Sequence, residues 1–251
     1  MTDEIPPEGL LRTVAEREAV ARYAQAFSKS PDSLEERLDS FPKYIRRQVL
    51  TKLLARYEIF KQVLHVKGSI VECGVFRGFG LMAWAHFSAV LEPINLTRRI
   101  YGFDSFGGLV SVSTKDHGRI RTVAPGELYA DSYEELLELI GIYDSNRPLG
   151  HIPKVHLIRG NAVETIPRFI SENPHLVVSL LFLDFDLYEP TTVAIKNFLP
   201  RMPRGAVIAF DELDNPIWPG ETQALVDSVG IQALELRRVE WDPYIAYAVI
   251  H

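Results

Sequence analysis

The 251 residues contain a single cysteine, Cys73. One thiol can neither close an intramolecular disulfide nor supply a multi-cysteine metal site, so both are excluded. A reducing, cytoplasmic location is therefore expected. Basic residues are in deficit, with 27 Lys+Arg against 33 Asp+Glu and a net charge of −6. The one tight basic cluster, Lys43-Tyr44-Ile45-Arg46-Arg47, is too short to track a phosphate backbone, and no nucleic-acid partner is expected. Long apolar runs are missing too. The longest, residues 176–183, holds eight residues including Ser179, far short of the roughly 18 that a spanning helix needs, so no membrane partner is expected. The first seven residues are acidic and carry Pro6 and Pro7, the opposite of a basic, apolar signal peptide. There are no internal repeats or low-complexity tracts.

What is present is an ordinary soluble composition, 47% hydrophobic and 24% charged, on a chain long enough to build a core without staples. The first third reads as helical. Residues 11–27 are rich in Ala, Glu and Arg, and Ser33-Leu34-Glu35-Glu36 spells a capping box. Apolar residues then fall at Ile45, Val49, Leu53, Phe60 and Leu64, close to helical spacing, until Lys67-Gly68 breaks the pattern. Beyond it, short apolar runs at 69–73, 100–103, 155–158, 177–183 and 206–210, with late runs at 234–239 and 244–250, alternate with helical stretches. The helices are expected at 81–91, 133–140, 162–171, 191–199 and 221–229, with Ser132 and Glu135 forming a second capping box. This alternation predicts an α/β fold with a mainly parallel sheet and helices on both faces. Residues 1–67 are expected as a helical cap or an oligomerisation element, and 68–251 as the sheet domain. Residues 107–153 hold one helix and much irregular polar sequence, as lids and binding loops do.

The turn after the first strand, Glu72-Cys73-Gly74-Val75-Phe76-Arg77-Gly78-Phe79-Gly80, places glycines where backbone amides can approach a ligand ahead of a helix N-terminus. Its G-x-x-x-G-x-G spacing departs from the dinucleotide fingerprint G-x-G-x-x-G, which no other segment matches. Glu72, two residues before the first glycine, suits a ligand with an ammonium group rather than a pyrophosphate. A tight turn with no ligand is the alternative. At the tip of the second strand, Asp104 is placed as ribose-binding acids are in nucleoside-binding sheets, or else it caps a loop. Cys73 reads as a small core residue.

The strongest chemical signal is a pair of acidic strand ends. Residues 180–183 lead into Asp184-Phe185-Asp186-Leu187-Tyr188-Glu189, and residues 206–210 lead into Asp211-Glu212, followed by Asp214. If the first strand continues to 186, its period of two puts Asp184 and Asp186 on one face. Neighbouring strands would bring the acids to a single edge. Two like charges about 4 Å apart cost roughly 4 kcal/mol at an effective dielectric near 20, so such a cluster needs a cation or raised pKa values. Oxygen donors favour Mg²⁺ or Ca²⁺ over zinc. The plainer alternative is that these acids open solvated loops.

Four segments together resemble the macrocin O-methyltransferase (TylF-type) family: Glu72 to Gly78, Phe103-Asp104-Ser105-Phe106-Gly107-Gly108-Leu109, Asp184 to Thr191, and Trp218-Pro219-Gly220. The resemblance runs from about residue 68 to 229, in the same order. It implies a class I methyltransferase (Rossmann-like) fold and an S-adenosylmethionine-dependent enzyme of antibiotic biosynthesis. The acceptor would be a deoxysugar hydroxyl, on a nucleotide-sugar such as a TDP-sugar or on a finished glycoside. It further implies Mg²⁺ (or Ca²⁺) on Asp184, Asp211 and Glu212, with Asp186 as the base. Around the cofactor it places Glu72, Gly74, Phe76, Arg77, Gly78, Asp104, Ser105, Asn161 and Ala162, with Asn161 near the adenine. The family usually shows Asp-Asp where this chain has Asp211-Glu212, and a histidine base found in some relatives is replaced here by Leu187. Tyr188 and Trp218 are expected to stack on the acceptor or to pack in the core. A homo-oligomer is expected, as family members are often multimeric. A metal-dependent methyltransferase of phenols is the near alternative; a nicotinamide oxidoreductase would want the missing fingerprint.

Overall fold

The computed structural model describes residues 13–118 and 121–251. It divides into two compact units, Met1–Leu54 and Ala55–His251, whereas the sequence pattern placed the change of rhythm at residue 67. The first unit is helical. Helix α1 (Val14–Lys29) opens on a capping box between Thr13 and Glu16, while Leu11, where a helix start was expected, lies outside the described residues. Helix α2 (Leu34–Asp39) opens on the Ser33–Glu36 box that the sequence spells out. Helix α3 (Arg47–Gln62) carries its buried residues, Ala55, Arg56, Ile59 and Phe60, in the second unit.

The second unit is built on seven strands: β1 (Ser69–Cys73), β2 (Ile100–Asp104), β3 (Val155–Arg159), β4 (Val178–Leu183), β5 (Val207–Phe210), β6 (Arg237–Arg238) and β7 (Ala246–Val249). Their order is β3-β2-β1-β4-β5-β7-β6. The first five are parallel, and β7 runs antiparallel to both β5 and β6. The connecting helices are α4 (Phe79–Leu91), α5 (Tyr133–Ser145), α6 (Ala162–Glu172), α7 (Tyr188–Phe198) and α8 (Gly220–Ser228). The two late apolar runs shrink to β6 and β7, leaving the rest of residues 234–250 as bends, a turn and irregular backbone.

Strand periodicity sorts the core into two layers. Ile70, Leu180, Phe182, Val207 and Ala209 pack with Ile59 and Phe60 of α3, Leu81 and Trp84 of α4 and Leu136 of α5. Val71, Cys73, Phe103, Leu181, Leu183, Ile208 and Phe210 pack with Ile166 of α6, Phe198 of α7 and Leu225 of α8. Burial on both faces is why β1, β4 and β5 read as continuous apolar runs. The capping box expected at Ser132 does not form. Its hydroxyl donates instead to the carbonyl of Phe76 at 2.5 Å, tying α5 to the glycine turn. Among the described residues no helix is long and apolar enough to cross a membrane.

Candidate active site

Parallel register carries three chain segments off the sheet at one level. Cys73 pairs with Leu183 and Leu183 with Phe210. One residue further, the Asp184 amide donates to the Cys73 carbonyl (2.7 Å) and the Asp211 amide to the Leu183 carbonyl (2.9 Å). Gly74, Asp184 and Asp211 thus step out side by side, around the point where the strand order reverses between β1 and β4. The expected juxtaposition of the two acidic strand ends is present. Strand β4, however, stops at Leu183, and Asp186 turns back with φ +61. Strand period therefore does not relate Asp184 to Asp186. A left-handed aspartate at such a site is a strained position held by its surroundings. Its amide donates to Glu221 Oε1 at 3.3 Å, and the Glu212 amide donates to Glu221 Oε2 at 3.2 Å. Glu221 is fully buried. Burial, then the charges of Asp186 and Asp211, push its pKa well above the usual carboxylate range.

The cation of the cluster is Arg56. Its Nη2 lies 3.3 Å from Asp184 Oδ2 and 3.3 Å from Asp211 Oδ1. Burial pulls the guanidinium pKa down, and Asp211, Asp184 and Glu72 reverse the effect, leaving it raised. The third expected metal ligand, Glu212, accepts a hydrogen bond from Asn215 Nδ2. Among the described residues no group of three or more His, Cys, Asp or Glu is arranged to hold a metal ion. The donor set expected for Mg²⁺ or Ca²⁺ does not fit: a guanidinium stands between its two aspartates, and its glutamate is turned to an amide.

The glycine turn is shaped from within. Gly74 has φ +99, and a β-carbon there would lie 1.8 Å from the Asp184 carbonyl oxygen. Gly78, at φ +81, starts α4 against Leu136. Asp104 Oδ2 accepts the amides of Val75 and Phe76, each at 2.8 Å, and Oδ1 accepts that of Phe106 at 2.7 Å. The carboxylate therefore fastens the turn to the tip of β2. Ser105 closes the next turn by donating to the Gly108 carbonyl. Asn161 caps α6 by accepting from the Val163 amide, and Ala162 is buried behind it. Phe76 (φ +51) is 44% exposed, next to the exposed Arg77.

Three of the expected site residues are buried or engaged within the protein. Glu72 is 1% exposed, with its Oε1 packed under Gly80. Trp218 is 4% exposed, packed with Val123, Leu187 and Ile217 beneath the Arg121 guanidinium, the packed alternative of the two expected for it. Tyr188 donates its hydroxyl to Asp227 (3.0 Å) and carries the Lys115 ammonium over its ring, so this ring too is engaged within the protein. Sequence reasoning missed Arg56, Glu221 and Asp116. The last is fully buried and accepts the Tyr188 amide at the start of α7. Cys73 is buried, and its thiol pKa is pushed up by that burial, so it stays inert.

Five parallel strands, an antiparallel β7 between β5 and β6, and acids beside a glycine turn at the switch point define a class I methyltransferase. Residues 42–230 match the macrocin-O-methyltransferase (TylF) family. The chain belongs to that family. It is similar to the crystal structure of CalS11, described as a calicheamicin methyltransferase: 35% identity, TM-score 0.90, covering 95% of this chain and 93% of that one. The apo structure, described as a TDP-rhamnose 3'-O-methyltransferase of calicheamicin biosynthesis, gives 35% identity and a TM-score of 0.83, covering 95% of each chain. A relative from Streptomyces olivaceus, 8-demethyl-8-(2,3-dimethoxy-alpha-L-rhamnosyl)-tetracenomycin-C 4'-O-methyltransferase, is 30% identical over 154 residues. That match spans 59% of this chain and about half, 53%, of the relative's length.

Proposed function

We propose that this enzyme moves the methyl group of S-adenosylmethionine onto a deoxysugar hydroxyl in natural-product biosynthesis, with a nucleotide-sugar or a glycoside as acceptor. One observation carries the reading: Gly74, Asp184 and Asp211 leave three adjacent strands at one level, beside the switch point where this fold class binds ligands. The rhamnose and rhamnosyl acceptors in the descriptions of the two relatives above support a deoxysugar.

S-adenosylmethionine supplies an electrophilic methyl group on a sulfonium centre, and the chain does the rest. Phe76 and Phe79 expose 44% and 40% of their surface at the turn, apolar area of the kind that a bound adenosyl group covers. Asp104, Ser105 and the Asn161-Ala162 start of α6 flank the nucleoside, while Gly74, Arg77 and Gly78 shape the backbone around the amino-acid end. Asp184, its side chain 26% exposed, faces the acceptor, with the buried Asp211 beside it. Asp186 takes the hydroxyl proton as the oxygen attacks the methyl carbon. The carbon–sulfur bond breaks with its electron pair staying on sulfur, which leaves S-adenosylhomocysteine. Alignment of oxygen, carbon and sulfur supplies much of the remaining acceleration.

Calorimetric titration with S-adenosylhomocysteine, with NAD⁺ as control, tests the cofactor: micromolar binding of the first alone is expected, and binding of NAD⁺ alone overturns the reading. For the base, Asp186→Asn should lower kcat by about a hundredfold or more with S-adenosylhomocysteine affinity unchanged. Wild-type turnover by that variant would remove Asp186 from the role.

A further inference from the structure

Arg56 is an expensive residue to keep. It is 2% exposed, on the sheet face that carries Phe182, with its guanidinium 4.4 Å from the Phe182 ring centroid and 5.6 Å from that of Phe79. A β-carbon on Gly80 would lie 1.8 Å from Glu72 Oε1 and 3.0 Å from Arg56 Nε, so the buried Glu72 carboxyl and the guanidinium meet over that glycine. The guanidinium is used unevenly. Nη2 is shared between Asp184 and Asp211, whereas Nε and Nη1 find no hydrogen-bond partner among the described residues. An arginine kept for stability alone would fill its buried donors or pair bidentately with one carboxylate. This one leaves two nitrogens unfilled and divides the third between two acids that arrive from different strands.

We propose that Arg56 is a positioning residue of methyl transfer: Nη2 fixes Asp184 and Asp211 beside each other and neutralises part of their charge. The acceptor then meets an Asp184 carboxylate held in place beside the buried Asp211 rather than one repelled by it. The role rests on the methyltransferase reading of the site. The guanidinium carbon lies 4.4 Å from the Phe182 ring centroid and 5.6 Å from that of Phe79, so the buried Phe182 ring helps to set its reach to the two acids. Lysine would keep the charge but lose the plane and part of the stack.

The test uses the full chain carrying Arg56→Lys or Arg56→Met, assayed in chelator-treated buffer. Both variants should bind S-adenosylhomocysteine within about threefold of wild type and keep KM for S-adenosylmethionine within about threefold, while kcat falls about tenfold in Arg56→Lys and about a hundredfold in Arg56→Met. The order of the two is the telling readout. A purely structural role favours the apolar substitute, because replacing a buried ion by a hydrophobic side chain of similar volume is often neutral or stabilising. Equal or better turnover by Arg56→Met than by Arg56→Lys would overturn the proposal, as would wild-type kcat in both. If Arg56→Met does not fold, Arg56→Lys decides alone: reduced kcat at an unchanged thermal midpoint supports the role, and unchanged kcat overturns it. Failure of the wild type itself to bind S-adenosylhomocysteine would bring down the reading of the site, and this role with it.

Discussion

A β-carbon on Gly74 would stand 1.8 Å from the carbonyl oxygen of Asp184. The turn after β1 and the end of β4 therefore touch backbone to backbone, at the level where the candidate acids leave the sheet. Gly74 also sits at φ +99, a conformation that L side chains rarely adopt. Neither side of this contact is a flexible side chain, so the clash cannot be relieved by a rotamer change. Gly74→Ala should lose about 3 kcal/mol or more, read from the denaturant midpoint. A loss below about 1 kcal/mol would mean that the turn is free to move away from β4.

Asp116 ties the long polar segment to the acidic strand end. Its Oδ1 accepts the Tyr188 amide at 2.5 Å, and its Oδ2 accepts the amide (2.6 Å) and hydroxyl (2.8 Å) of Ser113. A negative charge at the start of α7 also complements the helix dipole. Asp116→Asn replaces one accepting oxygen by a donor, so either Tyr188 or Ser113 loses its partner. The variant should be about 1–2 kcal/mol less stable. If residues 107–153 help to close over the acceptor, its acceptor KM should rise while S-adenosylhomocysteine affinity holds. Equal weakening of both would reduce Asp116 to a folding role.

The sheet was legible because parallel strands buried on both faces must be apolar throughout, and residues 69–73 emerge as β1 without a shift in either end. Register could then be inferred for Asp184 and Asp211, since consecutive parallel strands with acids at their ends bring those acids together. Where the backbone leaves the regular period, the pattern failed. Asp186 was placed by strand alternation, but its φ of +61 reverses the chain. Arg56 was hidden for a different reason. Helical spacing sets it beside Ala55, Ile59 and Phe60, yet a charged residue on a helix reads as solvated until its partners, 128 and 155 residues away, are known. The same distance problem concealed Asp116 and Glu221, whose partners are backbone amides that carry no sequence signature. Ser132 shows the converse: a correct capping pattern whose hydroxyl is drawn away by the Phe76 carbonyl.

Glu72 makes stability depend on pH. Burial pushes its pKa up, Arg56 opposes the shift, and Asp211 and Asp104 add to it, leaving the carboxyl at about 8 against an ordinary 4.5. Between these values the folded protein holds a proton that the unfolded chain has released. The contribution of Glu72 is therefore fully present below its unfolded pKa and is lost as pH rises through the folded one. Glu72→Gln, neutral at every pH, should flatten the fall in stability across that window, measured as urea midpoints at either end. An unchanged slope would show that Glu72 ionises in the folded state as readily as in the unfolded chain.

The placement of Arg56 also bears on metal dependence. Hard divalent cations need several oxygen ligands converging on one point. Here Asp184 Oδ2 and Asp211 Oδ1 both face the Arg56 guanidinium, and Glu212 accepts from Asn215. With the repulsion of the aspartate pair already offset by a resident cation, dialysis against EDTA should leave methyl transfer within about twofold of the untreated enzyme. A loss of more than about tenfold that Mg²⁺ restores would show that the two aspartates release the guanidinium and bind the ion instead. Arg56→Met sharpens the comparison. Without its cation, the pair faces a mutual repulsion of roughly 4 kcal/mol at about 4 Å and an effective dielectric near 20. Added Mg²⁺ should then raise the activity of Arg56→Met while leaving that of the wild type unchanged. Stimulation of both to the same degree would mean that Arg56 and the metal do not compete for one place.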